Sequence, residues 1–97
     1  GFHTKVHVLL RVPSQSRQAL CKHLQCHPHI NSVYKVTSQY HFLAECIFPH
    51  ISDFDTFLSE LEQRFIPLEH ESHFITEDVK REGFLAEQES LYRPLAG

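Results

Sequence analysis

The chain has 97 residues, 41% of them hydrophobic, and a formal charge of -3 with the histidines neutral. That length holds one core and not two, the hydrophobic fraction lies above the disordered range, and scattered basic residues under a negative net charge exclude a phosphate-backbone surface on this piece. No apolar run approaches the roughly 18 residues that span a bilayer, and Gly1-Phe2-His3 has no basic-then-apolar signal pattern. Cys21, Cys26 and Cys46 contain no Cys-x-x-Cys pair, so neither a disulfide framework nor a thiolate zinc centre is encoded. A reducing, cytoplasmic setting with no membrane partner is expected.

Thr4 to Val12 alternates, with Val6, Val8, Leu10 and Val12 on one side, and predicts a strand. Pro13-Ser14 stops it. Ser14 or Ser16 can cap a helix carrying Ala19, Leu20 and Leu24, which His27-Pro28 ends. Ile30 to Thr37 and Tyr40 to Phe48 are β-rich runs separated by Ser38-Gln39, short enough for an antiparallel hairpin. Neither residue suits a primed two-residue turn, so a longer or distorted connection is expected.

After Pro49, Ser52 with Asp55 three residues on predicts a helix start, and Phe54, Phe57, Leu58, Leu61 and Phe65 follow at helical spacing. Pro67 ends that helix, and Leu68 to Val79 predicts a last strand in which His70, Ser72 and Phe74 oppose Glu71, His73 and Ile75. Residues 80–97 have no sustained period and are expected to be a tail, in part a cloning remnant, leaving 1–79 as the domain.

Strand, helix, two hairpin strands, helix, strand predicts an α+β, ferredoxin-like βαββαβ fold, a four-stranded antiparallel sheet with two helices on one face. With Val8, Leu10, Val36, Phe42, Ala44 and Cys46 assigned beneath the helices, the other face carries Leu9, Val33, Leu43, Ile47 and Ile75 among His7, Lys35, His41, Glu45 and His73. At about 25 cal/mol per Å² of apolar area, covering five aliphatics stabilises by several kcal/mol. A homodimer through that face is therefore expected.

Nine histidines invite a metal hypothesis, but their spacing does not converge: His70 and His73 point to opposite faces of a strand, and His23 and His27 straddle a helix end. His27 and His29 lack a third ligand, so no metal is expected. His7, His41 and His73 on one sheet face predict an assembly that weakens near about pH 6. Cys21 and Cys26 do not share a helix face and are read as small buried hydrophobes, and the phenylalanines as core.

From about Val6 to Val79 the chain resembles the C-terminal effector domain, or RAM domain, of the Lrp/AsnC (feast/famine) transcriptional regulators. The resemblance rests on V-H-V-L-L-R-V, H-P-H-I-N-S-V-Y-K-V-T, S-Q-Y-H-F-L-A-E-C-I and D-F-D-T-F-L-S-E-L. Its most specific stretch is Val36-Thr37-Ser38-Gln39-Tyr40-His41-Phe42, where the family typically reads V-T-G-x-Y-D-L. It implies sheet-to-sheet dimers that assemble further, up to octamers, and a small effector, an amino acid or related metabolite, held between dimers at Ser38, Gln39, Tyr40 and His41.

Ser38 replaces a usual glycine and His41 a usual aspartate, and an imidazole cannot stand in for a carboxylate as partner to an ammonium. Family members contact DNA through an N-terminal helix-turn-helix. None precedes His3, and the Gly start is read as excision from a longer chain. No nucleophile-base pair or cofactor motif is present, so neither catalysis nor a cofactor is expected. A dimeric ferredoxin-like enzyme of monooxygenase or sirohaem decarboxylase type, and a stand-alone assembly domain, are the competing readings.

Overall fold

The computed structural model describes residues 3–76. The expected end of the last strand at 77–79 and the expected tail at 80–97 lie outside the described residues.

Strand β1, Thr4–Arg11, alternates as predicted, and Val6, Val8 and Leu10 are fully buried. Pro13 cannot continue the ladder. A single 3-10 turn, Ser14–Ser16, leads into helix α1, Arg17–Gln25. Ser16 holds the N-cap position, but its side chain makes no capping bond. Leu20 and Leu24 enter the core, whereas Ala19 is exposed, so the buried stripe of α1 is narrower than expected.

Strands β2, Ile30–Lys35, and β3, Phe42–Phe48, form the hairpin. Residues 36–41 join them, closed by the Val36 N–H donating to the His41 carbonyl at 3.1 Å. The longer connection expected from the poor turn residues is thus present. Inside it the Tyr40 N–H donates to Ser38 Oγ at 3.0 Å, a side-chain-mediated turn that serves where glycine is missing.

Helix α2, Ile51–Arg64, starts from His50, whose N–H donates to the Asp53 carboxylate at 3.1 Å. The acidic cap sits two residues before the predicted Ser52–Asp55 pair, because Asp53 is the residue three past the N-cap. Phe54, Phe57 and Leu61 are buried along one face and Phe65 closes it. Phe48 packs between Phe54 and Phe57, with ring centroids 5.8 and 5.4 Å away. Strand β4, Glu69–Phe74, completes the sheet.

The sheet order is β2-β3-β1-β4 with every neighbouring pair antiparallel. Leu20 and Leu24 of α1 and Phe54, Phe57 and Leu61 of α2 share one cluster with Val6, Val8, Leu10, Ala44 and Cys46. Both helices therefore cover the same face, and the architecture is the predicted ferredoxin-like α+β fold.

Strand β2 departs from the predicted facing. Ile30 pairs with Cys46, but Ser32 pairs with Glu45, so one residue, Asn31, is bulged out. The extra residue reverses the facing of Val33, Tyr34 and Lys35. Val33 pairs with Ala44 and packs against the core, and Lys35 pairs with Phe42, so both lie on the helix side and not on the open face. Val36, expected beneath the helices, follows the end of the strand, half-buried, and lines a hollow with Arg17, Gln18 and Cys21 of α1. Cys26 is also corrected, being exposed at the end of α1 while Cys46 is buried.

Candidate functional site

Two surfaces of the described residues stand out once the core is assembled. The first is a cleft of about 600 Å³ where the start of α1 meets the open end of the β2–β3 hairpin. Arg17, Gln18 and Cys21 line it from α1, Lys35 from the end of β2, and His41 and Phe42 from the start of β3. Ser14 and Val36 complete the wall.

His41 is anchored by its backbone N–H donating to the Leu10 carbonyl at 2.8 Å, which fixes it beside the end of β1. Its Nδ1 is shut from solvent without a hydrogen-bond partner among the described residues. Burial pushes its pKa below the ordinary value, the Arg17 and Arg11 charges push the same way, and Glu69 opposes them. Of the four residues expected at a ligand, only His41 lines this cleft. Ser38 and Gln39 are exposed on the hairpin tip, and Tyr40 is half-buried beside it.

Arg17 and Lys35 escaped the sequence reading. Arg17 could have been found: it is the first residue of α1, where the helix presents its positive end, and no acidic residue occupies that first turn. Lys35 could not, because its facing depends on the bulge.

The second surface is the face of the sheet that no helix among the described residues covers. Leu9 and Leu43 are directly opposed across β1 and β3, and Lys5 opposes Ile47 there. Ile75 continues the β4 edge by donating its N–H to the Lys5 carbonyl at 2.9 Å. Tyr34 stands opposite Leu43 on the same face, an aromatic that the unbulged register had hidden. Polar groups pair among these apolar ones. Glu45 receives the Tyr34 hydroxyl and His7 Nε2, each at 3.3 Å, and His73 bonds Glu71. His7 and His73 face each other across β1 and β4, but each lies against a carboxylate, which offsets the mutual repulsion expected of them. His41 does not join them.

Among the described residues no three His, Cys, Asp or Glu side chains are grouped to hold a metal ion. No helix among them is long and apolar enough to cross a membrane.

The architecture is a ferredoxin-like sheet with one face that no helix among the described residues covers and a cleft at its hairpin end. The chain belongs to the Lrp/AsnC ligand binding domain family, whose model matches residues 5–84. A transcriptional regulator from Neisseria meningitidis, solved as an L-methionine complex, superposes with a TM-score of 0.70 at 15% identity, over 80% of this chain and 53% of its own. A protein from Thermus thermophilus matches with a TM-score of 0.70 at 22% identity, over 80% of this chain and 99% of its own. A feast or famine regulatory protein from M. tuberculosis, complexed with L-methionine, gives 0.63 at 14% identity, over 81% of this chain and 54% of its own. This chain thus spans about half the length of both regulators. No curated protein matches it.

Proposed function

We propose that this chain is the effector-binding and oligomerisation domain of an Lrp/AsnC-type transcriptional regulator. It pairs with a second copy through Leu9, Leu43, Ile47 and Ile75 and takes a small molecule, an amino acid or related metabolite, at the hairpin end where dimers meet. Contact with DNA belongs to a helix-turn-helix outside these residues, and catalysis forms no part of the role. Pairs assembling further, up to octamers, would close the cleft with a neighbouring dimer. A cytoplasmic location suits a regulator of this kind.

The observation that carries this reading is the family match together with an apolar sheet face that no helix among the described residues covers. At about 25 cal/mol per Å², burying those side chains against a twin stabilises by several kcal/mol. Two of the solved neighbours carry L-methionine, which supports a small effector of that size. A second reading, a stand-alone assembly domain, draws support from the Thermus chain, which is matched over nearly its whole length. An upstream helix-turn-helix in the coding sequence decides between them.

Sedimentation velocity at tens of micromolar tests the pairing. Dimers or multiples of dimers are expected for the wild type, and a monomer with an unchanged circular dichroism spectrum for Leu43→Glu. A folded wild-type monomer at that concentration overturns the reading.

A further inference from the structure

The charge on the cleft is one-sided. Arg17 and Lys35 both line it, with the His41 imidazole between the start of β3 and the end of β1, and no carboxylate contributes to its wall. Neither cation meets an acidic side chain within 4.0 Å among the described residues. Arg17 also stands at the positive end of α1, the position where a helix by itself favours an anion. Two uncompensated cations beside a half-buried imidazole repel one another, and an anionic ligand group relieves that repulsion.

Glu69 is the carboxylate that could answer a ligand ammonium. It lines the adjoining hollow, which shares Ser14, Arg17 and His41 with the cleft, and its Oε2 lies 4.0 Å from Arg11 Nε. The cleft itself offers an ammonium the Ser14 hydroxyl, the Gln18 amide, a neutral His41 ring and backbone carbonyls, without a countercharge. Phe42 and Val36 supply an apolar floor for a short carbon chain.

We propose that the effector of this domain is a small organic anion, a carboxylate without an obligatory ammonium, seated with its negative group on Arg17 and Lys35. The proposal rests on the reading of the domain as a ligand sensor and specifies the chemistry of what is sensed. The His41 imidazole lines the same cleft, so its protonated form adds a third positive group beside such a ligand. Arg11 and Arg17 disfavour that proton and Glu69 favours it. An anion in the cleft adds to the side of Glu69, so binding strengthens as pH falls below about 6.5.

The test is thermal shift and titration calorimetry on the chain with succinate, and separately with L-methionine, at ionic strength matched by sodium chloride. Succinate is expected to raise the melting temperature by several degrees and L-methionine to leave it unmoved. Arg17→Gln and Lys35→Gln are each expected to weaken succinate binding about tenfold, near the value of one charge-assisted contact. An equal rise in the double variant overturns the proposal by exposing a general salt effect. A response to L-methionine alone overturns the anion class but sustains the sensor. A response to neither overturns the proposal, and the sensor reading then stands or falls on the sedimentation result.

Discussion

His27 lies edge-on against Phe57, with ring centroids 4.8 Å apart and planes 68° from parallel, and ties the end of α1 to the aromatic face of α2. Such a contact suits a neutral ring packed in a core better than a hydrated imidazolium.

A pH dependence of stability follows. Burial lowers the pKa of His27, with the charges of His29 and His23 adding and Glu60 opposing. Burial lowers that of His23, with Arg64 adding, and that of His41, with Arg17 and Arg11 adding. In the unfolded chain each imidazole takes its proton near 6.5, whereas in the fold it does so only at lower pH. As pH falls through 6.5 the unfolded state therefore binds more protons, and stability is lost. The urea midpoint is expected to be lower at about pH 5 than at about pH 7.5, and His27→Leu to blunt the loss. A midpoint independent of pH across that range would contradict this account.

Core truncation should be severe. Leu61 is fully buried among both helices and the sheet. Leu61→Ala is expected to cost about 3 kcal/mol in chemical denaturation, from lost transfer energy and the cavity left behind. Against a total stability of roughly 5–15 kcal/mol, that leaves a marginal fold.

The cysteines should separate by reactivity. Cys46 is buried under the helices, and desolvation with the nearby Glu45 charge pushes its thiol up to about 12. Cys26 is exposed and Cys21 half-buried on the cleft wall. Iodoacetamide at neutral pH, followed by peptide mass mapping, is expected to modify Cys26 first, Cys21 more slowly and Cys46 only on unfolding. Early labelling of Cys46 would mean that the sheet-helix interface opens locally.

The order of elements, the core residues Val8, Leu10, Phe42, Ala44 and Cys46, and the facing of Leu9, Leu43 and Ile47 were all readable along the chain. Period-two alternation in β1 and β3 and helical spacing in α2 are local properties that each segment carries by itself. The apolar run Phe54, Phe57, Leu61, Phe65 marked which face of α2 would be buried.

What only the folded chain decided begins at Asn31. Nothing local marks that residue as the bulge, because an unpaired residue exists only relative to the partner strand, and Ser32 paired with Glu45 is what displaces it. That slip turns Val33 against the core, frees Tyr34 for the open face and delivers Lys35 to the cleft that Arg17 also lines. A cleft is made by segments distant in sequence, here α1 and the two ends of a hairpin. Its charge was therefore set by register and packing, which no stretch of residues encodes alone.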